Sequence, residues 1–150
     1  MRRIVCLALA TLAMPSLARA QSHPLIGQWQ ISMETLVPPG TGGPSTIERK
    51  GQLSVAQAGD SLIATLTLEA VPWMPTPKVE RLAALRGTGT VAFVKTADAT
   101  MTGNGQMLAR AAGITYALDV QDDRLVGSMR VKVEGIPDIP AHPITGTRAP

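Results

Sequence analysis

Apolar and polar residues alternate along most of this chain with a period of two. In "GQWQISME" the residues Gly27, Trp29, Ile31 and Met33 fall on one face, with Gln28, Gln30, Ser32 and Glu34 on the other. Ile114, Tyr116, Leu118 and Val120 alternate in the same way with Thr115, Ala117 and Asp119. Met129, Val131 and Val133 alternate with Ser128, Arg130, Lys132 and Glu134. Successive side chains of a strand point to opposite faces, so this period predicts antiparallel strands with one buried and one wet face. The segments are 25–35, 47–56, 61–69, 79–85, 90–96, 113–119, 124–134 and 143–149. They make an all-β domain.

The connections are alternately long and short. In an up-and-down meander, alternate connections emerge at opposite ends of the barrel. The short ones, "QAGD", "RGTG" and "QDD", supply the Gly and Asp that tight turns need. The long ones include "VPPGTGGPST", "VPWMPTPK" and "GIPDIPAHP", whose prolines stop the loops from joining the sheet. One end is therefore expected to be closed and the other to be an open cup. The connection 97–112 has two readings. Asn104 caps a short helix over Gln106 to Ala112, stopped by Gly113, or the segment is a long extended strand. "DSLIATLTLE" at 60–69 resembles "DRLVGSMRVK" at 123–132, a recurrence that convergence on one hairpin pattern explains as well as duplication.

The first twenty residues read as an export signal. Arg2 and Arg3 precede an apolar segment from Ile4 to Met14, and Ala18-Arg19-Ala20 offers a cleavage pattern. The segment is too short to span a bilayer as a helix. A periplasmic or secreted chain beginning at Gln21 is expected, forming one domain over 21–150. Loss of Arg2, Arg3 and Arg19 leaves eleven basic residues against eleven acidic ones, so the net charge of +3 falls to zero. No basic stripe remains to grip nucleic acid. The single cysteine, Cys6, lies in the signal, which removes disulfides, thiol nucleophiles and cysteine metal sites from consideration.

Gly27-x-Trp29 on a first strand, the strand starts "LIAT" and "LVGS", and the ending "ITGTR" at Arg148 together resemble the lipocalin-like (calycin-type) barrels. The likeness is strongest to the small modules of secreted bacterial proteins, and it spans 24–149. It implies that Trp29 plugs the closed end and that an arginine of the last strand stacks across it. Topology agrees: first and last strands of a closed meander are antiparallel neighbours, which brings Trp29 beside Arg148. Avidins share the Gly-x-Trp start but surround their ligand with several tryptophans, whereas only Trp73 follows Trp29 here. An outer-membrane barrel needs aromatic girdles, and the four aromatics Trp29, Trp73, Phe93 and Tyr116 do not supply them.

Candidate chemistry is sparse. His23 and His142 are assigned to opposite ends of the barrel, separated by roughly 26 Å for a strand of about eight residues, so they cannot share a metal. Asp122-Asp123 reads as a turn pair, and the glycines of "GTGTVAF" and "TGNGQ" lack the context of a phosphate loop. Neither catalytic constellation nor cofactor motif is found, and a non-enzymatic binding module is expected. Methionine is the anomaly. Met33 and Met129 point inward, while Met74, Met101 and Met107 fall in open-end loops. Adaptable thioethers at a cup mouth suit an apolar ligand of irregular shape, and equally suit gap filling in a core poor in aromatics. Irregular spacing and scarce histidine count against a copper-type site. The candidate ligand site is Trp73 and Met74 as a lid, Met101 and Met107 opposite, and Met33, Phe93, Tyr116 and Met129 below. The alternative is a filled barrel whose proline-rich loops bind a protein partner, as in inhibitor-type barrels.

Overall fold

A computed structural model describes residues 22–37, 45–85, 89–103 and 106–150. Eight antiparallel strands follow in chain order: β1 (Gly27–Leu36), β2 (Thr46–Ala58), β3 (Ser61–Leu68), β4 (Lys78–Leu85), β5 (Val91–Gly103), β6 (Gln106–Gln121), β7 (Arg124–Val133) and β8 (His142–Arg148). They form one sheet in the order β4-β3-β2-β1-β8-β7-β6-β5. Each strand thus pairs with its chain neighbour, except that β1 pairs with β8 and β4 with β5 forms no ladder among the described residues. The up-and-down barrel is nearly closed, with a seam between β4 and β5. The segment 1–20, expected to be an export signal cleaved after Ala20, lies outside the described residues, as do loop positions 38–44 and 86–88.

The alternating pattern places the core. Trp29, Ile31 and Met33 of β1, Leu62, Ala64, Leu66 and Leu68 of β3, and Leu118 of β6 are buried inside the barrel. The β6–β7 turn behaves as its composition requires. Asp122 and Asp123 between β6 and β7 adopt φ of 50° and 60°, the left-handed pair that matches the twist of a two-residue hairpin.

Of the two readings of 97–112, the helix is the wrong one. β5 runs to Gly103 and β6 starts at Gln106, so the segment is a long hairpin with register Ala97↔Ala112 to Gly103↔Gln106. The proposed cap, Asn104, lies outside the described residues. Physically, cross-strand ladder bonds continuing from the barrel satisfy the backbone at no nucleation cost, whereas a seven-residue helix must nucleate alone. No described helix is long and apolar enough to cross a membrane.

Gly127 shows how tightly β6 and β7 approach. A Cβ there would lie 2.2 Å from the Ala117 carbonyl oxygen and 2.8 Å from Leu118 Cδ2. The first is backbone inside a ladder and cannot yield easily. Gly127→Ala is expected to cost about 1–3 kcal/mol through overpacking, read as a fall in the urea midpoint at unchanged slope.

Candidate functional site

The closed end is built around Trp29, which is 0% exposed. Its indole Nε1 donates to the Leu25 carbonyl at 2.9 Å, and Leu25 itself is fully buried. Trp29 and Arg148 are direct partners in the β1–β8 ladder, and the guanidinium carbon sits 4.4 Å from the ring centroid. The same guanidinium donates from Nη1 to Ile26 O at 3.2 Å, from Nη2 to Pro24 O at 3.0 Å and from Nε to Asp123 Oδ1 at 3.1 Å. Arg148 thus ties the end of β8 to the segment before β1 and to the β6–β7 turn. Gly27 makes this possible. Its φ is +134°, and a Cβ there would meet Arg148 Nη1 at 3.0 Å. The Gly-x-Trp spacing has a local cause: the glycine clears the path by which the arginine reaches the indole.

The two histidines lie far apart, as their strand assignments require. His23 precedes β1 and its Nδ1 accepts from Leu25 N at 3.2 Å, while His142 opens β8 at the other end. Both are buried and leave Nε2 without a partner among the described residues. No group of three His, Cys, Asp or Glu residues that could hold a metal occurs among the described residues.

The open half contains something the alternation did not announce. Arg49 on β2, Lys78 and Glu80 on β4, and Lys95 on β5 occupy inward positions of their strands. Glu80 has a side chain only 1% exposed, against 36% for Lys78 and 35% for Lys95. Its Oε1 accepts from Lys78 Nζ at 2.5 Å and Lys95 Nζ at 3.0 Å, and its Oε2 from Tyr116 OH at 2.7 Å. The carboxylate therefore bridges the seam that the backbone leaves open, joining β4 to β5 and β6. Burial alone pushes the Glu80 carboxyl up, but hydrogen bonds from Lys78, Tyr116 and Lys95 outweigh it and hold it below the usual range. Burial and the adjacent carboxylate push the Tyr116 hydroxyl far up, so it remains a donor.

Arg49 is buried beside this cluster. Its Nε donates to the Glu69 carbonyl at 2.6 Å, and its Nη2 faces the Met74 sulfur at 3.7 Å. Burial lowers its pKa, with the Glu80 charge opposing the shift. Met74 is held in position by a small turn, in which Val71 N donates to Met74 O and Met74 N to Val71 O. Pro72 and Trp73 form the corners of that turn.

Beneath it lies a cavity of about 340 Å³, lined by Met33, Arg49, Trp73, Met74, Tyr116 and Met129 together with Lys78, Ile114 and neighbouring aliphatic groups. Of the residues singled out from sequence, Met33, Trp73, Met74, Tyr116 and Met129 are brought together here. Phe93 is fully buried and does not line the cavity; it belongs to the packed core. Met101 and Met107 lie on the extended hairpin, and their side chains are outside the described residues. Arg49, Lys78, Glu80 and Lys95 were missed. Their signal was parity: each is in phase with the inward residues of its strand.

No protein-family model matches the chain, and no curated protein matches it. Among solved structures it is similar to Rv2717c from M. tuberculosis, with a TM-score of 0.52 and 14% identity over 85% of this chain and 94% of that one. The M. tuberculosis PknI sensor domain, in its monomer form, gives a TM-score of 0.46 and 19% identity over 83% and 87%. The first likeness, at that identity, shows the fold: a bacterial eight-stranded antiparallel barrel.

Proposed function

We propose that the chain is an exported, lipocalin-like, non-enzymatic module that holds a small, largely apolar molecule in the open half of its barrel. The observation that carries this reading is the cavity under the Val71–Met74 turn, walled by Met33, Trp73, Met74, Ile114, Tyr116 and Met129. Its volume lies within the range of about 300–1,000 Å³ typical of ligand pockets. Thioethers adapt to irregular shapes, and an indole at a mouth combines apolar area with a rigid ring. Pro72 and the two hydrogen bonds of the turn restrain the lid.

The test uses octan-1-ol as probe and Trp29→Phe as background, which leaves Trp73 as the sole indole reporter. Binding should shift the Trp73 emission to shorter wavelength as water leaves, and Trp73→Ala should weaken binding measured by calorimetry. Binding without either effect removes Trp73 from the site, and no binding removes the cavity reading.

A protein-interaction role has one specific observation in its favour. Residues 97–103 of β5 and 106–111 of β6 pair with each other while β7 pairs β6 only from Ala112 onward. This hairpin arm presents backbone edges of the kind that strand addition uses. Deleting 99–108 should abolish partner capture under that reading and leave octan-1-ol binding intact under the first.

A further inference from the structure

Resting on the cavity reading above, we infer that the bound molecule carries a carboxylate, docked on Arg49 and Lys78 with its apolar chain among the methionines. Among the described residues, the interior near the cavity holds three cationic side chains, Arg49, Lys78 and Lys95, against one carboxylate, Glu80. That carboxylate is already taken: Lys78 and Lys95 share one of its oxygens and Tyr116 holds the other. Arg49 is 4% exposed and forms no salt bridge among the described residues. Only the through-space charge of Glu80 reaches it, and the desolvation of a guanidinium is repaid best by an opposite charge in direct contact.

What faces Arg49 Nη2 is a thioether, a weak acceptor. A carboxylate in its place would make charge-assisted hydrogen bonds roughly twice as strong as neutral ones. Met74 stands where the ligand's head group would go, and it sits on the same turn as Trp73, so entry of the head group and movement of the lid are one event. Lys78 lines the same cavity and is a third exposed, which leaves ammonium hydrogens free to turn toward a second anion. At about 30 Å³ per water-sized group, the cavity takes on the order of ten non-hydrogen atoms. That matches a medium-chain monocarboxylate. It is too small for a two-chain lipid.

Calorimetry with octanoate, octan-1-ol, octylamine and acetate tests this. Octanoate should bind about tenfold or more tighter than octan-1-ol, the gain expected of a charge-assisted contact over a neutral one. Octylamine should be the weakest of the three eight-carbon probes. Acetate should not bind measurably, because the head group alone lacks the apolar contacts; tight acetate binding would mean a free small anion is the ligand and overturn the amphiphile. Arg49→Met should bring the octanoate to octan-1-ol ratio close to one, with Arg49→Lys retaining part of it. Lys78→Met should lower the ratio as well, and because it also strips Glu80 of one lysine partner, urea unfolding of this variant is read alongside its binding. If octanoate and octan-1-ol bind equally to the unaltered chain, the head-group assignment is overturned and the cavity reading stands. If neither binds, both fall.

Discussion

Replacing Trp29 by alanine is expected to lower stability by about 3–5 kcal/mol, the range for truncating a large aromatic in a packed core. Three losses act together. The fully buried ring leaves a void among Leu25 and its neighbours, the Leu25 carbonyl loses the indole N–H, and Arg148 loses the surface it stacks on. The stack itself contributes only about 0.5–2 kcal/mol, so most of the cost comes from the void. Arg148→Ala should accordingly cost less than Trp29→Ala, although it also frees the carbonyls of Pro24 and Ile26. Urea unfolding of both variants measures the order. A Trp29→Ala loss below about 1 kcal/mol would show that the end can collapse around the gap, and would remove the plug from the account of this fold.

The strands whose two faces differ sharply were legible. In β1 and β3 every inward position is apolar or small enough to pack, and the observed limits fall within two residues of those read from the alternation. The turn chemistry of Asp122-Asp123 was legible for the same local reason. β4 and β5 were not readable in this way. In "KVERLAAL" neither face is plainly apolar, and the structure turns Glu80 inward while leaving Val79 65% exposed. In β5 Lys95 points inward and Val94 outward, 61% exposed. In β4 hydrophobicity alone would assign the opposite faces, whereas in β5 Val91 and Phe93 set the inward phase and only the charge of Lys95 argues against it. What decides is tertiary: the seam between these strands has no ladder among the described residues, and a buried carboxylate with two lysines takes over the joining. A pattern of single residues cannot reveal that partnership. The long β5–β6 hairpin was ambiguous on similar grounds, because "ADATMTGNGQMLARAA" favours neither period strongly. Of the five candidate residues at the cavity, Met33, Trp73, Met74 and Met129 drew notice because methionine and tryptophan are conspicuous in a core poor in aromatics, and Tyr116 because its strand alternates cleanly. The charged residues beside them, Arg49, Lys78, Glu80 and Lys95, carried no such mark, because charged side chains are mostly exposed.

Glu80→Ala is expected to cost about 3 kcal/mol, the low end of the range for stripping one partner from a buried ion pair. The low end applies because Lys78 and Lys95 are each a third exposed and can recover some hydration. The loss is nevertheless large, since the change leaves Lys78 and Lys95 without their shared carboxylate, removes the charge that opposes the desolvation of Arg49 and orphans the Tyr116 hydroxyl. Glu80→Gln keeps an acceptor for Tyr116 and should cost less. The same pair of proteins gives a pH signature. The folded-state pKa of Glu80 lies below its unfolded value, so its contribution is fully present above the ordinary carboxylate range and is lost as pH falls through the folded value. The stability gap between the unaltered chain and Glu80→Gln should therefore stay constant from pH 7 to about 5 and shrink below about 4.3, the unperturbed glutamate value. Urea midpoints across that series measure it directly. The difference between the two proteins isolates Glu80 from the other carboxylates that titrate in the same window. A gap that persists unchanged at pH 3 would mean that the charge of Glu80 does not hold the seam, and that its shape and hydrogen bonds alone do.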